Sequence, residues 1–271
     1  MAELRKAQQR RRRYRVGAVA AVLVILAGVA VFLTSRGGGS KKTPVATATS
    51  TTVASSTTSA ATQSTVASLP TAKAVPGGTL KTATTCPTPT SPRITTFKAA
   101  PPNCLVAGKS YVATFVTNEG NVVVALNTTK TPETANNFIV LAGYHFYDGT
   151  AMFRTDTSIG IIQGGSPATQ SDADPGPGYT IKDEGSGYKY AVGDLVMART
   201  SAANSAGAQY FFCVTTACAN LNSQGTYVVF GTTSSGLNVL QKILALNVTD
   251  AAGDSGPSQL VTVKSVTITE S

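Results

Sequence analysis

The stretch YVATFVTNEGNVVVAL, residues 111–126, indicates the fold of the second half of the chain. Two runs rich in β-branched and aromatic residues, 111–117 and 121–126, flank an Asn-Glu-Gly sequence, and this pattern predicts a β-hairpin. Directly downstream, Thr131-Pro132-Glu133 predicts the start of a helix. Thr is a favourable cap, Pro fits the first helical position, and an acidic residue suits the first turn.

Further towards the C-terminus, short β-like runs alternate with Gly and Pro. Residues 237–246 form a second amphipathic helical pattern, and VTVKSVTIT, residues 261–269, predicts a closing strand. Many short strands with two separate helices predict a mainly β domain, a closed antiparallel barrel whose ends are covered by the helices. The region is long enough to bury a single hydrophobic core.

The sequence from Ser110 to the C-terminus resembles the cyclophilin family at five points that occur in the family's order. The matching stretches are NNFIVLAGYHFYDGTAMFR (136–154), IIQGGSP (161–167), DPGPGYTIKDE (174–184), LVMARTSAANSAGAQYFF (195–212) and LNSQGTYVVFG (221–231). The segment from Cys86 to Cys104 is similar to the one that precedes the domain in membrane-anchored actinobacterial members.

This resemblance implies an eight-stranded cyclophilin-like barrel capped by two helices, with peptidyl-prolyl cis-trans isomerase activity. It implies no metal or cofactor, since isomerisation requires only that the twisted amide is bound more tightly than the planar one. The expected partners are proline-containing polypeptides, and no nucleic acid is expected.

The resemblance assigns Arg154 as the catalytic donor and Gln163 as the residue that holds it. Counting forward from Asp148 places the family's arginine at Arg154, whereas counting backward from Gln163 places that position at Thr155. One residue is therefore inserted between the two motifs, and the prediction keeps the arginine. The remaining predicted substrate-binding residues are Ile161, Ala198, Arg199, Gln209, Phe211, Leu221 and Tyr227, with Ala198 and Arg199 expected to offer backbone groups.

Two other functional classes compete with the isomerase. A non-catalytic cyclophilin-like module would bind proline-containing segments, and in that case the Arg154 guanidinium would face away from Gln163 and Phe211. A purely structural envelope module would have no open apolar groove. A Ser–His or Cys–His enzyme would have to use His145, the single histidine, which lies at the end of a predicted helix.

The chain contains four cysteines, Cys86, Cys104, Cys213 and Cys218. An even number suggests two disulfides if the domain lies outside the membrane, where disulfides persist. Four cysteines allow three connectivities, of which pairing each cysteine with its sequence neighbour is the simplest. A zinc site is disfavoured because the spacing between neighbouring cysteines does not match that of a metal knuckle.

The N-terminal region predicts a membrane anchor. Ten of the 22 Lys and Arg residues but only one of the 13 acidic residues precede Thr43, so the net charge of +9 comes from this region. Residues 17–34 carry no charge and would span roughly 27 Å as a helix. Because more positive charge lies before this segment than after it, the N-terminus is expected in the cytoplasm. A cleaved signal peptide is the alternative.

These patterns divide the chain into five parts. They are a basic cytoplasmic tail (1–16), a transmembrane helix (17–34), a disordered Ser/Thr/Ala-rich linker (35–82), a cysteine-containing segment (83–109) and the cyclophilin-like domain (110–271). The linker is expected to be disordered because its composition offers too little apolar surface to offset conformational entropy. The catalytic domain would then lie outside the cell membrane.

Overall fold

The structure is a computed structural model and describes residues 68–271. Among these residues there are thirteen strands, two α-helices and one 3₁₀ helix. The strands are β1 Gly78–Leu80, β2 Ile94–Phe97, β3 Tyr111–Thr117, β4 Asn121–Leu126, β5 Thr150–Ala151, β6 Arg154–Asp156, β7 Ile161–Gly164, β8 Asp194–Met197, β9 Tyr210–Cys213, β10 Val229–Ser235, β11 Asn247–Thr249, β12 Ser255–Pro257 and β13 Thr262–Glu270. The helices are α1 Pro132–Gly143, the 3₁₀ helix Thr216–Ser223, and α2 Leu237–Leu244.

Nine strands form one antiparallel sheet in the order β5-β13-β3-β4-β10-β8-β9-β7-β6. Laid flat, nine strands would span roughly 38 Å at the usual strand spacing. The two edge strands are nevertheless joined by only Met152 and Phe153, a link that reaches at most about 11 Å. The sheet must therefore curl until its edges nearly meet.

The expected closed, eight-stranded barrel is wrong in two respects, because the sheet has nine strands and no ladder joins β5 to β6. At the β5 edge, the Ala151 N–H donates to the side-chain oxygen of Gln170 at 2.7 Å. The Met152 N–H donates to the Val261 carbonyl at 2.9 Å. Gln170 therefore satisfies a donor that would otherwise pair with a neighbouring strand, whereas the Met152 contact continues the ladder between β5 and β13.

The predicted hairpin is confirmed as β3 and β4, which pair in register from Val112 opposite Ala125 to Val116 opposite Asn121. The inner side chains of the sheet pack with α1 into a core whose largest fully buried members are aromatic. They are Phe115, Phe138, Phe146, Tyr147, Tyr210, Phe212 and Phe230. The domain is therefore held together mainly by burial of aromatic and aliphatic surface.

Helix α1 begins at Pro132, as the sequence indicates, but its cap differs from the prediction. The Thr131 hydroxyl donates to the Asn127 carbonyl and does not cap the helix. Instead, the Glu184 carboxylate accepts from the backbone N–H groups of Glu133 (2.9 Å) and Thr134 (2.7 Å). A carboxylate at this position satisfies two free donors and suits the positive end of the helix dipole.

The folded region begins before the predicted linker boundary at residue 82. The Val75 N–H donates to the Pro167 carbonyl at 2.8 Å, and the Lys73 carbonyl accepts from Gln170 at 3.1 Å. Strand β1 then pairs in parallel with β2. The Arg93 side chain donates to the carbonyl of Val75 at 2.8 Å. Residues 73–80 are therefore held by contacts with the domain, which the local composition of the segment does not reveal.

The segment before the domain, residues 83–109, packs against it as well. Cys86 and Cys104 form a disulfide, and Ile94 and Phe97 of β2 are buried in the main core. Asn136 of α1 donates to the Pro102 carbonyl and accepts from the Cys104 N–H. The segment therefore covers the side of α1 that faces away from the sheet, which would otherwise be exposed to solvent.

Within residues 68–271, no helix combines the length and apolar character needed to cross a membrane. The predicted tail (1–16), transmembrane helix (17–34) and residues 35–67 of the predicted linker lie outside the described residues.

Candidate functional site

The β6–β7 hairpin places Arg154 directly opposite Gln163 in the antiparallel ladder. An Nη atom of Arg154 donates to Gln163 Oε1 at 3.1 Å. Thr155, the next residue in β6, lies on the opposite face of the sheet because side chains alternate along a strand. It is fully buried, and its hydroxyl donates to Asn247 Oδ1 at 2.8 Å. The predicted insertion therefore leaves the arginine, not Thr155, beside Gln163.

Asp156 follows Arg154 by two residues and so lies on the same face of β6. Its carboxylate accepts from the second terminal nitrogen of Arg154 at 2.7 Å. Burial alone would raise the pKa of Asp156, but hydrogen bonds from Ser158 and the charge of Arg154 outweigh burial, so the pKa is lowered. Asp156 is not among the residues predicted from the sequence, and strand alternation identifies it only when β6 is known to begin at Arg154.

A chain of amide contacts continues from Gln163 across the groove. Gln163 Nε2 donates to Gln209 Oε1 at 2.9 Å, and Gln209 Nε2 donates to the Asp172 carbonyl at 3.1 Å. The predicted polar residues are thus connected to Arg154 and to the loop on the far side. Such a network fixes the orientation of each side chain that a bound peptide would meet.

The outer face of β7, β9 and β8 provides the apolar floor of the groove. Here Ile161, Phe211 and Leu221 form a second buried cluster, separate from the main core, and Tyr227 packs against it. The rings of Phe211 and Tyr227 meet edge to face, with centroids 5.6 Å apart. All nine predicted catalytic and substrate-binding residues line one groove of about 380 Å³: Arg154, Ile161, Gln163, Ala198, Arg199, Gln209, Phe211, Leu221 and Tyr227.

The structure limits the backbone contact predicted at Ala198, and the one predicted at Arg199 stays a prediction. The Ala198 N–H donates to the Gln209 carbonyl at 2.9 Å, so it is not free for a bound peptide. The expected backbone contact at this residue is therefore restricted to its carbonyl. The Arg199 side chain donates to the carbonyls of Ala202 (2.7 Å) and Thr226 (3.2 Å). The Arg199 guanidinium thus connects two backbone segments in the wall of the groove, one of them next to Tyr227.

The opposite wall of the groove comes from the loop between β7 and β8, and none of its residues is among those predicted from the sequence. They are Asp172, Asp174, Pro175, Gly176, Pro177, Tyr179 and Thr180. The Asp174 carboxylate organises this loop by accepting from the backbone N–H groups of Ala168, Thr169 and Gly176. From behind, the Phe97 N–H donates to the Pro177 carbonyl at 2.8 Å. Strand β2 therefore supports one wall of the groove.

The second disulfide lies under the groove floor. Cys213 at the end of β9 is joined to Cys218 in the 3₁₀ helix, and both are buried. This link connects the strand that carries Phe211 to the helix that carries Leu221. Both disulfides follow the simplest connectivity predicted from the sequence, and the described residues contain no free cysteine.

The curled sheet and its groove define a mainly β protein in which a guanidinium held beside Gln163 lines an open groove with an apolar floor. The family model described as cyclophilin type peptidyl-prolyl cis-trans isomerase/CLD matches residues 112–268. The chain belongs to the cyclophilin-type peptidyl-prolyl cis-trans isomerase family.

Two bacterial relatives illustrate the match. The chain is 34% identical over 172 residues to peptidyl-prolyl cis-trans isomerase B of Escherichia coli, covering 59% of this chain and 100% of the relative. It is 31% identical over 170 residues to a probable peptidyl-prolyl cis-trans isomerase B of Mycobacterium leprae, covering 57% of this chain and 55% of the relative. The match thus spans the whole E. coli protein but about half of the mycobacterial one.

Solved structures show the same fold. A crystal structure of a cyclophilin type peptidyl-prolyl cis-trans isomerase from Cryptosporidium parvum has a TM-score of 0.51 and 24% identity, covering 59% of this chain and 98% of that one. A second crystal structure of the C. parvum protein, in the presence of the dipeptide Ala-Pro, has a TM-score of 0.50 and 25% identity, covering 58% of this chain and 98% of that one.

Proposed function

We propose that the protein catalyses cis–trans isomerisation of X–Pro bonds in the groove, with Arg154 as the donor to the proline nitrogen. Rotation about this bond faces a barrier because conjugation gives it partial double-bond character. Uncatalysed, the step takes tens to hundreds of seconds. When the amide twists, conjugation is lost and the nitrogen becomes able to accept a hydrogen bond. A donor fixed at that nitrogen stabilises the twisted state more than the planar one.

Arg154 is suited to this role because its guanidinium is held and yet retains free donors. Of its five N–H groups, the contacts with Gln163 and Asp156 use two. The remaining donors are available to a peptide, and the side chain is 39% exposed to solvent. Because the donor is already oriented, little reorganisation is needed when the amide twists.

Catalysis also requires an apolar surface against which the proline ring can pack, and the floor of the groove provides it. Phe211 and Leu221 offer apolar surface next to the polar chain of Gln163 and Gln209. A peptide lying here would place its ring on the floor and its backbone carbonyls against the polar side chains. That a C. parvum cyclophilin structure was determined in the presence of the dipeptide Ala-Pro supports a proline-containing ligand for this groove.

The observation that carries this proposal is the position of the Arg154 guanidinium, which lines the same groove as Gln163 and Phe211. The non-catalytic binding module would leave the guanidinium facing away from this groove, so it is the weaker candidate. A purely structural module would need no such groove.

We further propose that the domain acts outside the cell membrane on secreted or membrane proteins as they fold. The support is the charge and hydropathy pattern of residues 1–42 together with two disulfides, which persist in oxidising compartments. A domain tethered near the bilayer would meet polypeptides as they emerge.

The test is isomerisation of short X-Pro peptides by the full chain in detergent, with Arg154→Ala measured beside it. Turnover by the wild-type protein and a loss of roughly 10²-fold in Arg154→Ala are expected, a loss typical for one preorganised donor. Peptide affinity should be measured for both proteins. A wild-type protein that binds proline peptides without turnover would support the binding module instead.

A further inference from the structure

We propose that Asp156 is a positioning residue that holds the Arg154 guanidinium in its catalytic orientation. This inference rests on the proposed function, because it assigns a role to Asp156 through Arg154. Gln163 contacts one terminal nitrogen of the guanidinium, and Asp156 contacts the other at 2.7 Å. Two contacts on different nitrogens fix both the position of the planar group and its rotation, which neither contact alone would do.

Asp156 is itself held rigidly. One of its carboxylate oxygens binds Arg154, and the other accepts from the Ser158 backbone N–H at 3.0 Å and the Ser158 hydroxyl at 2.6 Å. In the ladder, Asp156 lies opposite Ile161 at the end of the β6–β7 pairing. Each carboxylate oxygen therefore has its own partner, so the carboxylate cannot rotate without losing a hydrogen bond.

The need for such a partner follows from the exposure of Arg154. A partly exposed arginine side chain has many rotamers in solution, and ordering it has an entropic cost at the moment of catalysis. An ion pair already formed in the free protein removes this cost from the catalytic step. Asp156 does not line the groove, so its contribution reaches the substrate only through Arg154.

The test compares Asp156→Asn with the wild-type full chain. The Asn side chain has nearly the same size, and its oxygen can still accept from Ser158. Its amide group would face the Arg154 donor, however, so the contact with Arg154 is lost. We expect kcat to fall roughly tenfold while KM and peptide affinity change less than twofold, because the groove surface is preserved. Ser158→Ala is the matched control, since it removes one hydrogen bond to Asp156 and keeps the ion pair.

A double-mutant cycle with Arg154→Ala separates positioning from general damage. If Asp156 acts through Arg154, Asp156→Asn should have no further effect in the Arg154→Ala background. An additional tenfold loss in that background would overturn the inference, as would wild-type kcat in Asp156→Asn alone.

A second measurement does not depend on turnover. NMR of the Arg154 side chain should show slow rotation about its Cζ–Nε bond in the wild-type protein and faster rotation in Asp156→Asn. A wild-type protein that lacks turnover but shows this difference would refute the proposed function and leave the positioning role intact. Equal rotation in both proteins would refute the positioning role.

Discussion

The backbone of Phe97, in the segment before the domain, lies against Gly178, which stands between Pro177 and Tyr179 of the groove wall. A Cβ atom at Gly178 would come within 2.6 Å of the Phe97 carbonyl oxygen, a distance that real Cβ atoms do not reach. Gly178 also has a φ of +96°, in the left-handed region that favours glycine. The close approach accompanies the hydrogen bond from Phe97 to Pro177, so the segment and the groove wall form one packed unit.

Gly178→Ala should therefore weaken peptide binding by pushing the wall away from β2. We expect KM for X-Pro peptides to rise several-fold, and the free energy of unfolding to fall by roughly 1–3 kcal/mol from overpacking and backbone strain. Gly253→Ala is the matched control, because Gly253 has a similar φ of +83° and nothing within 4 Å of its Cβ position. An equal rise in KM in the control would show that contact with Phe97 is not the cause.

Arg154→Lys should restore little of the activity lost in Arg154→Ala. A lysine ammonium is a point charge without the planar fork that contacts Gln163 and Asp156 together. We expect turnover to remain within about tenfold of Arg154→Ala in the peptide assay. Full activity in the lysine variant would mean that positive charge alone suffices.

Thr155→Ala should mainly affect stability. The Thr155 hydroxyl is buried on the core side of β6 and contacts Asn247. Loss of this hydrogen bond should lower the free energy of unfolding by about 1–2 kcal/mol, measured by denaturant titration, with turnover nearly unchanged. A loss of turnover comparable to that of Arg154→Ala would place the catalytic position at Thr155.

Protein purified from its native compartment should contain no free thiol. Both cysteine pairs are bonded, and the longer loop, between Cys86 and Cys104, should contribute more to stability than the loop between Cys213 and Cys218. Loop entropy suggests about 3 and about 2 kcal/mol, respectively. Thiol labelling after denaturation without reductant checks the first statement, and labelling of two cysteines would show that one bridge is absent.

The stability that Asp156 confers should depend on pH in a defined direction. The pKa of Asp156 is lowered in the folded protein. At pH values above the ordinary pKa of an Asp side chain, about 4, the charged form of Asp156 therefore stabilises the fold. This stabilisation should disappear as the pH falls through the lowered pKa. The difference in unfolding free energy between wild type and Asp156→Asn, measured from pH 7 to pH 2, should therefore shrink on acidification. A difference that grows towards low pH would contradict the assignment.

The proposed topology predicts the accessibility of each terminus. In intact cells, a tag at the N-terminus should be protected and a tag at the C-terminus accessible to an impermeant reagent, if the positive charge before residues 17–34 orients the chain as proposed. The reverse labelling pattern would contradict the orientation assigned from residues 1–42.

Elements whose signals are local could be predicted from the amino-acid sequence. The β3–β4 hairpin, the start of α1 at Pro132 and the strand β13 follow from residue patterns within each segment. The nine residues predicted from motifs in the family's order line one groove, and the simplest cysteine pairing is the one that the structure contains.

Features that depend on strand register and on contacts distant in sequence required the folded structure. Counting from the two flanking motifs placed the catalytic position at Arg154 in one case and at Thr155 in the other. The pairing of β6 with β7 shows that Arg154 is the residue opposite Gln163. The same register places Asp156 on the same face of β6 as Arg154. A shift of one residue would move every side chain of β6 to the other face, and no local pattern in three residues can fix that register.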